Sequence, residues 1–502
     1  MKQDAFDVVV VGGGPTGLLL ASELVLGGAR PLLIERRAEP DATPKAGGVG
    51  AVAAEALMRR GLGAALDAEE ATAIEEVKAM RRSMGAPEGP PPGKPRMGGH
   101  FAGLSLIDQS VQRDPTRRLR MVPQQALERV LSAHAGALGV EVWRGSSVES
   151  FEDVGDRVRL KVRRPDGEQT LEAAFLVGCD GGRSLVRKGL GIDFPGTDPT
   201  LTGYSAVVEI DHPERLLPVG WRRTRAGMMS YGWAPGRLAM LSFDGPPKDR
   251  HAPLTKEEVE HGLRHISGAD VRVTSMSVAT RFTDNARLAS TYRKGRAFLA
   301  GDAAHVHSPF GGQGLNLGLV DAANLGWKLC AAVKGWAPEG LLDTYTAERH
   351  PVAESVLENT RAQLAIMRPD PQGSAMRQVV AELLTASPEA NRYFGEMISG
   401  VATRYDLGDD DPSVGRLVAD GDLTVDGAAT RLFALMKDGR ALLVDGEGDG
   451  KAADEAAPWA SRVRIVKAAG ARSMLVRPDG CIAWAGRAGG LRPALERWFS
   501  AA

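Results

Sequence analysis

The sequence predicts an α/β protein: a parallel-sheet frame, an inserted β-sheet segment, and a smaller α/β unit at the C-terminal end. Three observations carry this reading. The run Phe6-Asp7-Val8-Val9-Val10-Val11 is short, apolar and β-branched, the composition of a strand buried in a parallel sheet. It breaks at Gly12-Gly13-Gly14-Pro15-Thr16-Gly17 into a helical stretch, then into a second apolar run, Pro31 to Ile34, closed by Glu35. From about Thr202 to Arg281 the chain reads mostly as β, and the last hundred residues form helices and strands in an order of their own.

In the first unit Gly12 allows a tight turn, Gly14 lets the backbone approach a pyrophosphate, and Gly17 lets helix and strand pack closely. The helix start offers unpaired N–H groups to phosphates, and Glu35 is spaced to accept from ribose hydroxyls. Ala51 to Arg60 reads as a helix stopped by Gly61. Gly85 to Gly99, with Pro90-Pro91-Pro92 inside it, reads as a long loop of the kind that forms lids. A helix over Pro123 to Leu138 and a strand over Val140 to Trp143 follow. Residues 157–162 alternate, turn at Pro165-Asp166-Gly167 and return over Thr170 to Val177 as a hairpin ending in Gly178-Cys179-Asp180-Gly181-Gly182-Arg183-Ser184. Met228 to Trp233 and Leu238 to Phe243 flank another turn. The two-residue period places Met229, Tyr231 and Trp233 on one face and Met228 on the other.

The strand Arg296 to Ala300 delivers Gly301-Asp302, and a glycine-rich loop runs through Pro309, Gly311, Gly312 and Gly314 to a helix beginning near Leu315-Asn316. Backbone N–H groups at such a helix start can face an electron-rich ring, and Asp302 can accept from a sugar chain. A further helix covers Leu342 to about Met367, with a boundary at Pro369 and Pro371. Strands at 441–444, 463–466, 473–476 and 481–484 and a helix at 493–499 complete the chain.

A length of 502 residues accommodates two or three domains. The net charge of −1 gives no nucleic-acid footprint. Cys179, Cys330 and Cys481 form no CxxC, which argues against a metal site and for a reducing compartment. Met1-Lys2-Gln3-Asp4 leads straight into the first strand, leaving no room for a signal peptide, and no apolar run is long enough to span a bilayer. The expectation is a cytoplasmic protein with no nucleic-acid or membrane partner.

Together, Gly12 to Gly17 with Glu35, Asp180 to Ser184, and Gly301-Asp302 through Asn316 resemble the single-component (group A) flavoprotein monooxygenases, the family of para-hydroxybenzoate hydroxylase, over residues 6–360. The tail resembles the thioredoxin-like domain without redox cysteines of phenol hydroxylase and of the aromatic polyketide hydroxylases. The whole chain is most similar to hydroxylases of the angucycline and anthracycline type. The resemblance implies a Rossmann-like FAD-binding domain in two parts, 1–180 (with loop 75–104 contributing to the substrate pocket) and 282–370. It further implies a β-sheet substrate domain at 181–281, a helical linker at 371–400 and a thioredoxin-like domain at 401–502.

It implies FAD held by Gly12, Gly14, Pro15, Thr16, Gly17, Glu35, Arg36, Lys45, Gln124, Val148, Asp180, Asp302, Pro309, Gly312, Gly314, Leu315 and Asn316, with Pro309 beside the reactive flavin edge and no side-chain base. A transient NADPH or NADH would dock near Asp180, Arg183 and Arg187, and the substrate near Phe101, Met228, Tyr231 and Trp233. His305 reads as structural and His307 as a polar loop residue. The activity implied is hydroxylation of a polycyclic aromatic polyketide by O₂ through a flavin hydroperoxide, in antibiotic biosynthesis, by a chain that can form a homodimer. The alternative is Baeyer–Villiger oxygen insertion on a polyketide ketone by the same flavin. A flavin halogenase would carry a Trp-x-Trp stretch, which is missing here, and complete flavin loops argue against a non-catalytic flavoprotein. Lys45 and Val52 stand where the family usually has arginines, and lysine cannot form a bidentate fork.

Overall fold

The computed structural model describes residues 6–86, 97–249, 252–447, 450–486 and 490–501. Its frame begins with β1 (Phe6–Val11), α1 (Pro15–Leu26), β2 (Pro31–Glu35), α2 (Ala51–Arg59), α3 (Gly63–Ser83), the hairpin β3 (Met97–Phe101) and β4 (Leu104–Asp108), α4 (Gln124–Ala137) and β5 (Glu141–Arg144). The antiparallel meander β6 (Ser147–Asp153), β7 (Val158–Arg164) and β8 (Gly167–Gly178) precedes the short helix α5 (Leu185–Gly189). The inserted sheet holds β9 (Thr202–Ile210), β10 (Gly220–Arg223), β11 (Met228–Tyr231), β12 (Arg237–Ser242), α6 (Lys256–Ser267) and β13 (Val273–Phe282). The frame resumes with β14 (Ala297–Leu299), α7 (Gln313–Val333) and α8 (Thr344–Met367), followed by α9 (Pro371–Ala386) and α10 (Pro388–Ser399). The C-terminal unit carries the hairpin β15 (Asp422–Val425) and β16 (Ala428–Arg431), then β17 (Ala441–Asp445), α11 (Lys451–Ala456), β18 (Val463–Lys467), β19 (Met474–Val476), β20 (Ile482–Ala485) and α12 (Leu491–Phe499). Most of the proline-rich loop expected over 85–99 lies outside the described residues.

Strand β1 is central because beyond Asp7, which accepts from the Arg30 N–H at its edge, nothing polar interrupts it. Val9 sits opposite Leu32 on one side and Leu176 on the other, and Val8, Val9 and Val10 are fully buried. The parallel order is β14-β8-β1-β2-β5. In β7, Val158, Leu160 and Val162 point inward while Arg159, Lys161 and Arg163 stay exposed, as the period of two requires.

The inserted sheet is antiparallel in the order β10-β11-β12-β9-β13. The reading of this segment as mostly β omits α6, whose start is N-capped: the Thr255 hydroxyl accepts from the Glu258 N–H at 3.2 Å. Helix α6 covers one face of the sheet, and Met229 and Tyr231 pack there with Val259, Leu263 and Ile266. Tyr231 is therefore a core residue under a helix, which corrects its assignment to the substrate. Gly232, with φ near +83°, ends the strand, so Trp233 leaves the Tyr231 face. Met228 points the other way and is fully buried in a cluster with Phe101, Leu241, Phe310 and Ile366.

Residues 371–400 are not a loose linker. Asn391 on α10 donates to the Leu106 carbonyl at 2.7 Å and accepts from the Asp108 N–H at 2.9 Å, pinning the helix pair to β4. The C-terminal sheet runs β18-β17-β19-β20, with β17 parallel to β18 and the other pairs antiparallel, a thioredoxin-like arrangement in which Cys481 is buried and unpaired.

This unit is bolted to the frame by buried charge. Arg477 makes two 2.7 Å bonds to Glu348 and one of 2.6 Å to Asp479. Lys328 reaches Glu348 at 2.9 Å, and Asn324 donates to Glu348 and Asp479 at 2.7 and 2.9 Å. Nearby, Arg60 forks onto Glu23 and donates to the carbonyls of Met436 and Pro478. Burial alone would raise the Glu348 pKa, but the charges of Arg477 and Lys328 outweigh it and hold the carboxyl well below its ordinary value of 4.5. A depressed carboxylate contributes stability that is present above its unfolded pKa and is lost as pH falls toward its folded one. Glu348→Gln is expected to cost ~3–5 kcal/mol at neutral pH, by leaving Arg477 and Lys328 to share one carboxylate, Asp479, and so one buried positive charge in excess. It should also flatten the acid side of a Tm-against-pH curve below pH 4.5. Tyr231→Ala should lower stability by ~3–5 kcal/mol with flavin content unchanged, measured by thermal melting and flavin absorbance on the same sample.

Candidate functional site

Ligands of open α/β sheets lie beyond the carboxyl ends of the parallel strands, where here three loops leave β1, β8 and β14 side by side. Their glycines do two jobs. Gly12 (φ near +113°) lies against the Cys179 carbonyl and Gly17 against the Gly12 carbonyl, so a Cβ at either would collide with backbone. Gly14, Gly181 and Gly312 are the opposite case: a Cβ there meets nothing within 4 Å. The first pair closes the fold, and the other three face one continuous cavity of about 3410 Å³.

Around its first end stand Pro15, Thr16, Glu35, Arg36, Lys45, Gln124 and Val148. Glu35 accepts from the Gly13 N–H at 2.6 Å and the Arg37 N–H at 2.8 Å, which holds its carboxylate beside the glycine turn. The Gln124 amide donates to Glu128 at 2.8 Å, and its backbone N–H bonds Ala46. Lys45 points its ammonium at Asp41, 3.0 Å away, and its carbonyl accepts from Arg237 at 2.8 Å. Val52 lies away from the cavity, buried in the core shared with the C-terminal unit.

The third loop carries Asp302, Pro309, Gly312, Gly314, Leu315 and Asn316, all on the cavity wall. Asn316 clamps it: the side-chain oxygen accepts from the Gly50 N–H and the amide donates to the Gly312 carbonyl, both at 2.7 Å. His305 is buried 2.7 Å from Asp321, as a structural residue would be. His307 gives its Nδ1 proton to the Ser308 carbonyl at 2.7 Å, and burial pushes its pKa down to about 4. Its Nε2 is thus a neutral acceptor, buried and without a partner.

Asp180 accepts from the N–H groups of Leu185 and Val186 at 2.6 and 3.2 Å with Oδ2, which caps α5. Its Oδ1 is buried and unpartnered at the cavity wall, a polar atom placed for a bound group. Arg183 is exposed at the rim. Arg187 requires a correction: its guanidinium is buried, donates to the carbonyls of Ala303 at 2.8 Å and Gly182 at 2.9 Å, and lies 3.7 Å from the Phe194 ring centroid. It braces the second loop against the third and cannot meet a phosphate of an incoming donor.

The inserted sheet roofs the other end. A single cross-strand row, Trp221-Ser230-Ala239-Ser205-Thr280, looks onto the cavity. Its small members leave room that Met229 and Tyr231 on the far face would have filled. Trp233 reaches the wall under Arg237, whose guanidinium lies 4.7 Å from its ring centroid. Phe101 and Met228 stand behind the wall rather than in it, because both are packed into the Phe310 core; these two substrate assignments are corrected as well. The Ser230 row and His100 escaped the sequence reading; strand parity would have found the row once the α6 face was known. Among the described residues no group of His, Cys, Asp and Glu could hold a metal, and no helix is long and apolar enough to cross a membrane.

Three glycine loops opening on one cavity, an acid beside each, and a sheet roofing the far end define a flavin-dependent enzyme of the aromatic-ring hydroxylase class. Residues 5–360 match the FAD binding domain family and residues 411–502 the aromatic-ring hydroxylase C-terminal family; the chain belongs to the FAD-dependent aromatic-ring hydroxylases. It is 41% identical over 520 residues to 12-dehydrotetracycline 5-monooxygenase/anhydrotetracycline 6-monooxygenase of Streptomyces rimosus subsp. rimosus, covering 98% of this chain and 99% of that protein. It is similar to the solved structure of CabE, an aromatic hydroxylase from angucycline biosynthesis, at 34% identity and a TM-score of 0.86, with 99% of both chains covered. A solved Diels-Alderase of pyrroindomycin biosynthesis also shares the fold, at 32% identity and a TM-score of 0.79, over 99% of this chain and 100% of that one.

Gly14→Val would place a branched side chain in the open cradle. It is expected to lower FAD affinity at least tenfold while the fold survives, read from bound-flavin absorbance after dialysis and from far-UV circular dichroism.

Proposed function

We propose that this protein is a FAD- and NAD(P)H-dependent monooxygenase that hydroxylates a polycyclic aromatic polyketide in antibiotic biosynthesis. The observation that supports it most is the cavity: one continuous space runs from Gly14 past Pro309 to a roof of small side chains flanked by Trp221, Phe282 and Trp233. That shape suits a flat, multi-ring substrate held against a cofactor.

In this reading the backbone of Gly14 and the α1 N-terminus hold the FAD pyrophosphate, Glu35 the adenosine ribose, and Asp302 the ribityl chain. Asp180 Oδ1 takes a polar group of the cofactor, and Gly312 to Asn316 back the flavin ring. The chemistry a bound flavin supplies is two-electron activation of O₂, with one oxygen atom going to substrate. The protein supplies position and dryness. Asn316 fixes the spacing of the 47–50 loop from the flavin loop, and the sheet roof excludes water from the reacting edge. Arg183, exposed at the rim, meets the phosphates of the nicotinamide donor.

Anhydrotetracycline is the first substrate to try, since a protein similar to this one acts on it. NADPH oxidation by the FAD-loaded enzyme should rise at least tenfold on adding it, and labelled O₂ should place one heavy oxygen in the product. Tight binding of polyketides without NADPH consumption would replace this reading with a non-oxidative one, as the name of the Diels-Alderase relative describes.

A further inference from the structure

We infer that His100 is a substrate-recognition residue: its Nε2–H donates a hydrogen bond to a ring oxygen of the substrate, a quinone or ketone carbonyl or a phenolate, in the chamber before the flavin loop. The inference rests on the reading of the cavity as an aromatic-substrate chamber.

Its basis is the β3–β4 hairpin. Phe101 and Leu104 pair, so Ala102 and Gly103 are the two central residues of the turn; their φ angles are +52° and +73°, both positive as a type I′ turn needs. Alanine adopts that conformation only against its own sterics. Two helices hold it there: the Ala102 N–H donates to Gln363 on α8 at 2.9 Å, and Arg377 on α9 donates to the Ala102 carbonyl at 2.5 Å. The outcome of this bracing is local. The Gly103 N–H points back and donates to His100 Nδ1 at 3.3 Å. An Nδ1 that accepts leaves the proton of a neutral imidazole on Nε2. The ring is neutral at physiological pH, because burial, with the charge of Arg377 adding to it, pushes its pKa down to about 4.

The same hairpin aims the ring. Phe101 goes into the core, so the preceding side chain projects to the opposite side, onto the cavity wall. His100, Gly98 and Gly99 all line the cavity, and a Cβ at Gly99 would meet nothing within 4 Å, whereas one at Gly98 would press on Gln109. The His100 ring lies 6.0 Å from that of Trp221, which lies 6.1 Å from that of Phe310, the residue after Pro309. Another polar group of this wall, the Ser230 hydroxyl, is buried without a partner beside Trp221 in the cross-strand row. Donors on the wall of a largely apolar chamber select ligands that carry oxygen at the matching place.

The test uses the FAD-loaded full-length enzyme and equilibrium dialysis with two probes of equal outline, 1,8-dihydroxyanthraquinone and anthracene. His100→Leu is expected to weaken the quinone about five- to tenfold and anthracene less than twofold. His100→Gln, whose amide reaches the Nε2 position, should restore quinone affinity to within about threefold. His100→Asn keeps an acceptor for the Gly103 N–H but has no donor of that reach; it should melt like the parent and still bind the quinone poorly. Equal losses for both probes, or full quinone affinity in His100→Asn, would reduce His100 to a fastener of the turn and overturn the proposal. Failure of the unmodified enzyme to retain either probe would overturn the aromatic-chamber reading itself, and this inference with it.

Discussion

A carboxylate that never sees water sets the geometry of the flavin loop. Asp321 is fully buried on α7, and its two oxygens serve three donors: the Gly301 N–H at 3.1 Å, His305 Nε2 at 2.7 Å and Arg349 Nε at 2.7 Å. Burial by itself would push its pKa up, yet Arg349 and His305 hold it below the ordinary range. Gly301 is where the third loop leaves its strand, so the start of the loop that presents Asp302 is fixed from beneath by charge. Arg349 also donates to the Tyr405 hydroxyl at 3.0 Å and the Leu317 carbonyl at 3.2 Å, passing the constraint to the segment that leads into the C-terminal unit. Arg187 works on the same loop from the other side through the Ala303 carbonyl.

What was legible in the sequence was local. The β-branched run at Val8–Val11, the alternation of 158–162 and the glycine turn each depend on a few adjacent residues, and all stand in the structure where their patterns put them. Helix α6 had a local sign too, the N-capping Thr255, overshadowed by the β-rich composition on either side. The errors share a different cause. Arg187 follows a glycine turn at the start of a helix, which is how an anion site looks in one dimension; only the fold brings the Ala303 carbonyl, 116 residues later, to its guanidinium. Tyr231 has the composition of a binding-site aromatic, but strand parity says nothing about which face receives a helix. The Arg477–Glu348 pair spans 129 residues and left no pattern at all.

Cavity and core are complementary choices on a single sheet. The row through Ser230, Ala239 and Ser205 is small where it meets the cavity, while Met229, Tyr231 and Leu238 on the reverse fill the space under α6. Stability is therefore concentrated on the face the ligand never touches. Side chains in the row can change with the substrate at little risk to the fold, so different substrates are compatible with one architecture.

The buried charges under the Arg477 turn also bear on how this chain is inherited. A thioredoxin-like unit without its dithiol looks like a relic that recombination could discard or exchange. Glu348, Lys328 and Asn324 lie in the frame and Arg477 and Asp479 in the tail; each half holds one cation and one anion, but the hydrogen bonds of Glu348 and Arg477 are completed only across the seam. A graft from a relative with other residues at these positions would leave a buried oxygen of Glu348 without its donor, a larger loss than mismatched apolar contacts. The seam therefore ties changes in one unit to changes in the other, because Glu348 is fully hydrogen-bonded only when both are present.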